Sequence, residues 1–124
     1  MESVLVVDDE ADILKLVKEN LVIRGYHVEE AKNATEALDK VRTCPPSLMI
    51  LDIKLPDFSG WELLKRMKTD PLVTTGFPVL VMTASITDAM IDRISYPNVV
   101  EILFKPFSTT SLMANVKSIL RKPD

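Results

Sequence analysis

Short apolar runs alternate along the chain with longer segments in which apolar residues recur at helical spacing. The short runs predict strands, and their nearly continuous hydrophobicity is typical of strands covered on both faces of a sheet. The second run differs, because it mixes apolar and polar residues. The predicted strands cover residues 4–7, 27–31, 48–51, 78–82 and 99–104.

Amphipathic segments follow the predicted strands. The first carries an apolar stripe and ends before Gly25, a residue typical of helix ends. Two further helices begin at Asn33 and Ser59, each of which has a glutamate three residues later, the spacing of a capping pair. A shorter helix is predicted over about 87–94, and a closing helix follows Pro106.

This order, a strand and then a helix five times over, predicts a doubly wound (βα)5 domain of the α/β class. Nearly continuous apolar strands between helices indicate one parallel sheet with helices on both faces. Right-handed crossovers create a switch point in the strand order, and ligands bind there, at the carboxyl ends of the strands. We expect one domain over 1–124, with a folded core at about 3–121 and a tail or linker at 122–124.

Composition and charge exclude several classes of function. The chain has 124 residues, 47% of them hydrophobic, and a formal net charge of -3. An acidic domain without a cluster of basic residues is not expected to bind nucleic acid directly. No apolar run approaches the roughly 18 residues of a membrane span, so no membrane contact is expected. The single cysteine, Cys44, and the absence of a signal-peptide pattern predict a cytoplasmic protein.

Five chemically active side chains lie at the predicted carboxyl ends of the strands. They are Asp8 and Asp9 after the first strand, Asp52 after the third, Thr83 after the fourth and Lys105 after the fifth. Three carboxylates about 5 Å apart would repel by about 3 kcal/mol per pair at an effective dielectric near 20. The lysine offsets part of this repulsion, and a hard divalent cation such as Mg²⁺ would offset the rest.

A carboxylate beside a metal, with a hydroxyl and an ammonium opposite, is suited to phosphoryl chemistry. An aspartate oxygen can attack phosphorus while the cations stabilise the charge of the transferred group. Asp52, between the first and fourth strands, is the best candidate for this nucleophile. The chain lacks the glycine-rich loops that bind nucleotides.

These residues stand in four motifs that together resemble the receiver domain of two-component response regulators, a CheY-like domain. The motifs are Val-Val-Asp8-Asp9-Glu10, Leu-Asp52-Ile-Lys-Leu-Pro56-Asp57-x-x-Gly60, Val-Met-Thr83-Ala84 and Phe104-Lys105-Pro106-Phe107. The resemblance covers essentially the whole chain. It implies the flavodoxin-like strand order 2-1-3-4-5 and a cis Lys105–Pro106 bond.

The resemblance also implies the function. Asp52 would accept a phosphoryl group from a sensor histidine kinase or a histidine phosphotransfer protein. Mg²⁺ would be held by Asp8, Asp9, Asp52 and the backbone carbonyl of Lys54, and Thr83 and Lys105 would each contact a phosphoryl oxygen. Such a domain is a signalling switch, not an enzyme with a separate substrate. Its partner on the output side would be a downstream effector protein or effector domain.

Some positions depart from the family pattern. Ile102 occupies a position where relatives usually have an aromatic residue, and Phe104, on the same face of the strand, is a candidate substitute. Lys54, two residues after the nucleophile, is expected to alter the lifetime of the phosphoryl group. We expect Glu10 to favour the start of the first helix rather than to assist the metal through water.

Other functions remain open at this point. An aspartate-nucleophile phosphatase of the haloacid dehalogenase kind uses similar residues, but it carries Asp-x-Asp after its first strand, not adjacent aspartates. A degenerate receiver that only binds proteins is the main alternative. The sequence also leaves open whether the chain is a stand-alone receiver or part of a longer protein.

Overall fold

The computed structural model describes residues 2–74, 76–89 and 95–121. Within these ranges the structure has five strands and four helices, and no described helix lies between β4 and β5. The elements are β1 (Ser3–Val7), α1 (Ala11–Ile23), β2 (His27–Ala31), α2 (Ala34–Thr43), β3 (Leu48–Asp52), α3 (Gly60–Thr69), β4 (Val79–Thr83), β5 (Val99–Phe104) and α4 (Thr109–Leu120). Residues 90–94 of the predicted short helix lie outside the described residues, and residues 86–89 form turns.

All five strands are parallel and lie in the order β2-β1-β3-β4-β5, as predicted. The switch point lies between β1 and β3, because the chain leaves β1 toward one edge and continues from β3 toward the other. Every residue of β3 and β4 is buried. The carboxyl ends of the central strands therefore meet at one edge of a rigid sheet.

The core has two layers, one on each face of the sheet. Successive residues of β1, β3 and β4 point alternately into the two layers, as the period of a strand requires. One layer contains buried residues of α2 and α3, and the other contains buried residues of α1 and α4. Helices thus cover both faces, which explains why these strands are apolar along their whole length.

Two predicted capping residues begin their helices as expected. The Asn33 side chain accepts a hydrogen bond from the backbone N–H of Glu36, and Ser59 accepts one from Glu62. Such caps stabilise a helix by about 1 kcal/mol each. Gly25 follows α1 with a φ of 91°, a conformation that favours glycine. In the described part of the chain, no helix combines the length and apolarity needed to cross a membrane.

Candidate functional site

The predicted site residues lie together at the carboxyl edge of the sheet. Asp52 and Thr83 are the last residues of β3 and β4 rather than the first residues of the loops, so the strand ladder fixes their backbones. Asp8 follows β1, and the N–H of Lys105 donates to the Thr83 carbonyl at 2.8 Å. The side chains border a cleft of about 480 Å³ that Asp9, Asp52, Lys54, Thr83 and Lys105 help to line.

The Lys105 ammonium is the centre of the site. Its Nζ lies 2.8 Å from Asp8 Oδ2, 3.1 Å from Asp52 Oδ2 and 3.1 Å from Glu10 Oε1. Burial works against the charged form of Lys105, but the hydrogen bond and charge of Asp8, followed by those of Asp52, raise its pKa above the ordinary value. The ammonium therefore stays charged at neutral pH. The Lys105–Pro106 bond is cis, as the resemblance implied.

Asp52 is a carboxylate in a place that disfavours its charge. It is only 4% exposed. Burial and, next, the nearby charge of Asp8 raise the pKa of Asp52 to about 6, although Lys105 and the backbone N–H of Lys54 act to lower it. The Lys54 N–H donates to Asp52 Oδ1 at 3.2 Å. Both carboxylate oxygens are thus oriented by hydrogen bonds, and Asp52 is mostly ionised at neutral pH.

Four carboxylates in this part of the chain fit a hard divalent cation. One oxygen each from Asp8, Asp9, Glu10 and Asp52 lies within 4.8 Å of the others. Among the residues that the structure describes, Lys105 is the single ammonium that contacts three of these four residues, so negative charge remains in excess. The donors are all oxygens, which is the ligand type that Mg²⁺ prefers. The residues therefore suit the ion that the sequence predicted.

Thr83 lies in the site, and the hydrogen-bond partner of its hydroxyl is Ser85. The Oγ1 donates to the Ser85 carbonyl at 3.3 Å and accepts from the Ser85 N–H at 3.1 Å. These two bonds close a local turn after β4. The hydroxyl has one O–H donor, so it must give up its bond to the Ser85 carbonyl before it can donate to a group bound on Asp52.

A match to a family model decides which proteins this chain resembles. The model described as the response regulator receiver domain matches residues 4–117. This chain belongs to the response regulator receiver domain family. The matched range contains nearly all of the five strands and most of α4, and it includes every predicted site residue.

Curated relatives of this receiver domain are transcriptional regulators. The chain is 37% identical over 125 residues to the alkaline phosphatase synthesis transcriptional regulatory protein PhoP of Bacillus subtilis, covering 99% of this chain and 50% of that protein. It is 35% identical to the phosphate regulon transcriptional regulatory protein PhoB of Pseudomonas aeruginosa, covering 98% of this chain and 52% of PhoB. The chain thus spans about half the length of the curated relatives that it matches.

Solved receiver structures agree in fold. A CheY-like receiver domain from Methanospirillum hungatei superposes with a TM-score of 0.80 at 32% identity, covering 95% of this chain and 92% of that one. TrrA from Thermotoga maritima superposes with a TM-score of 0.78 at 34% identity, covering 97% and 100% respectively. The TrrA structure is a complex with Mg²⁺–BeF.

Two contacts of the site region were not predicted from the sequence. Glu10 occupies the N-cap position of α1 but makes no side-chain capping bond there, because its carboxylate reaches Lys105. Asp57, in the loop after β3, accepts hydrogen bonds from the backbone N–H groups of Ala34 and Thr35 and from the Thr35 hydroxyl. No local sequence pattern predicts either contact, since each joins residues far apart in the chain.

Ile102 and the aromatic residues near the site differ in how they pack. Ile102 is half-buried against the layer that contains α2 and α3, whereas Phe104 is 45% exposed at the end of β5. A role for Phe104 in place of the usual aromatic residue stays a prediction. Trp61 stacks on Tyr96 with ring centroids 6.3 Å apart, and its Nε1 donates to the Asp88 carbonyl at 2.7 Å.

Proposed function

We propose that this receiver domain is a phosphorylation-controlled switch in which Asp52 accepts a phosphoryl group from a phosphohistidine. The donor would be a sensor histidine kinase or a histidine phosphotransfer protein. One observation carries the proposal: the Lys105 ammonium, on a side chain that is 11% exposed, bridges the carboxylates of Asp8 and Asp52 at the switch point of the sheet. Nothing in the geometry favours a degenerate receiver.

The phosphoryl transfer needs no reactant other than Asp52 and the phosphohistidine. An Asp52 carboxylate oxygen attacks phosphorus and forms a new P–O bond. The P–N bond of the phosphohistidine breaks, and its electron pair returns to the imidazole nitrogen. No group is oxidised or reduced. Asp52 is deprotonated for this step at neutral pH, because neutral pH lies above its raised pKa of about 6.

The other site residues are proposed to bind and orient the phosphoryl group and the metal ion. Lys105 already donates to Asp52 Oδ2, so its ammonium lies where charge develops on the transferred group. We assign Thr83 to a second phosphoryl oxygen once its hydroxyl leaves Ser85. Asp8, Asp9, Asp52 and the backbone carbonyl of Lys54 are the proposed ligands of Mg²⁺. When bound, the ion would supply positive charge that offsets the phosphoryl oxygens.

The names of the relatives, which describe transcriptional regulation, support a proposal about the wider role. We propose that residues at about 3–121 form the folded receiver and that it controls an effector domain or effector protein. Contact with DNA would then belong to that effector, because the receiver itself is acidic. The cytoplasm is the proposed location.

Intact mass after incubation with acetyl phosphate tests the chemistry. With Mg²⁺ present, the protein should gain one phosphoryl group, and the gain should vanish without the metal. Asp52→Asn should abolish it. Asp39→Asn removes the same charge from an exposed position on α2 and should leave it intact. Equal labelling of Asp52→Asn and the unsubstituted protein would refute Asp52 as the acceptor.

A further inference from the structure

Glu10 contacts the catalytic ammonium from the solvent side. An ammonium has three N–H donors, and those of Lys105 face Asp8, Asp52 and Glu10. The Asp8 and Asp52 side chains are buried, whereas the Glu10 side chain is 59% exposed. Lys105 therefore has no donor left for a new ligand unless one of these contacts is given up.

The backbone of Glu10 is fixed where this contact requires it. Its N–H donates to Asp8 Oδ1 at 2.9 Å, and its carbonyl accepts the first bonds of α1, from Ile13 and Leu14. An N-cap residue usually places its side chain over the helix end. The Glu10 side chain makes no such bond and lies 3.1 Å from Lys105 Nζ instead.

These contacts have a consequence for phosphoryl transfer. An incoming phosphoryl group is anionic and needs an N–H donor from Lys105. On the solvent-exposed side of the ammonium, one N–H donor is already bonded to the carboxylate of Glu10. Of the three contacts, the one with Glu10 is the most exposed and therefore the least costly to break. Without a bound cation, release of the ammonium by Asp8 or Asp52 would leave a buried carboxylate without its ion-pair partner.

We propose that Glu10 is a positioning residue that restrains Lys105 and thereby slows phosphorylation of Asp52. The inference rests on the proposed function of Asp52 and extends it to a residue of α1. It makes the rate of phosphorylation depend on how firmly one exposed side chain holds the ammonium.

Three variants distinguish the effect of the Glu10–Lys105 contact from the effect of the negative charge of Glu10. Glu10→Gln keeps the shape and removes the charge, whereas Glu10→Asp keeps the charge but shortens the side chain by one methylene. Asp12→Asn removes one exposed charge from the first turn of the same helix. The rate is measured as the gain of one phosphoryl group from acetyl phosphate at saturating MgCl₂, followed by intact mass at low and high NaCl.

Both Glu10 variants should be phosphorylated at least threefold faster than the unsubstituted protein, and Asp12→Asn should match the latter. The gain should shrink but not vanish in high salt, because screening weakens an exposed ion pair without abolishing a contact at 3.1 Å. If Glu10→Asp reacts at the unsubstituted rate, charge alone acts and the proposal is wrong. A phosphorylation rate of Glu10→Gln that is equal to or below that of the unsubstituted protein also overturns the proposal. A tenfold loss of Mg²⁺ affinity in the Glu10 variants overturns it too, because Glu10 would then be a metal ligand.

A second measurement uses the metal-free protein. The ε-methylene NMR signal of Lys105, assigned with Lys105→Arg in ¹³C-lysine-labelled protein, should move in both Glu10 variants and stay in place in Asp12→Asn. An unmoved signal in the Glu10 variants would refute the contact. If no protein is phosphorylated while the signal moves as expected, the function proposed for Asp52 fails and the contact of Glu10 with Lys105 stands.

Discussion

Asp52 and Asp57 lie in the same short stretch of chain, and their surroundings act on them in opposite ways. Asp52 is buried beside another carboxylate, so the fold disfavours its charge and raises its pKa. For Asp57, burial has the largest individual effect and acts to raise the pKa. The Thr35 hydroxyl and the N–H groups of Ala34, Thr35 and Phe58 together outweigh it and hold the pKa well below the usual range. The two aspartates therefore give stability opposite dependences on pH.

The charge of Asp52 should destabilise the metal-free fold. Because its pKa rises from 3.8 to about 6, the folded state binds more protons than the unfolded state between these values. The free energy of unfolding then falls as pH rises through this window. Asp52→Asn should be more stable than the unsubstituted protein by about 1–3 kcal/mol at pH 8, with the gain disappearing near pH 4.

Urea denaturation in EDTA at both pH values measures this difference. Asp39→Asn, which removes an exposed charge, should show no comparable gain. A gain for Asp52→Asn of equal size at both pH values would contradict the assigned cause.

At the scale of elements, loops tie neighbouring helices to the site. Asp57 joins the loop after β3 to the first turn of α2, where free N–H groups favour an anion. Gly60 begins α3 against the backbone that carries the nucleophile. A Cβ there would lie 2.9 Å from the Asp52 carbonyl oxygen, and the Gly60 N–H donates to the Ile53 carbonyl at 2.8 Å. This close approach requires glycine.

Asp57→Asn should weaken the join between the loop and α2. The variant loses the charge and one of two acceptor oxygens, so we expect a loss of about 1 kcal/mol at pH 7, the size of a capping interaction. A lowered pKa gives stability that is present above the unfolded value near 3.9 and is lost as pH falls through the folded value.

Chemical denaturation should therefore show the two proteins converging in strong acid. Asp39→Asn serves again as the matched control for loss of an exposed charge. A deficit in Asp57→Asn that persists undiminished in acid would point to lost packing instead of lost charge.

For the whole molecule, the sheet makes two separate apolar layers into one cooperative unit. Leu63 on α3 and Leu112 on α4 are both fully buried, but they belong to layers on opposite faces. Each of Leu63→Ala and Leu112→Ala should cost about 2–5 kcal/mol. Both variants should still unfold in a single transition, because the same five strands carry both layers.

Calorimetry and urea denaturation followed by two probes test this expectation. Leu72→Ala, at a residue that is 69% exposed, should stay within about 0.5 kcal/mol of the unsubstituted protein. Separate transitions for the two layers would contradict a single cooperative unit.

The sequence predicted the sheet and most of the site for a physical reason. Strands buried on both faces are apolar throughout, and parallel strands place their last residues at one edge, so Asp8, Asp52 and Thr83 had to converge. Contacts between distant segments leave no such pattern. The bond from Thr35 to Asp57 and the pairing of Glu10 with Lys105 depend on how loops meet after folding. Over 86–89 the weak helical pattern gave way to turns.

The contacts of Trp61 give the domain a built-in optical probe. It is the only tryptophan in the chain. Its indole is stacked on Tyr96 and bonded to the Asp88 carbonyl, while its backbone directly follows the glycine packed against Asp52. We therefore expect the fluorescence emission of this one residue to change when α3 shifts relative to Asp88 or Tyr96. Tryptophan fluorescence should therefore report changes at the carboxylate site in real time and without a label.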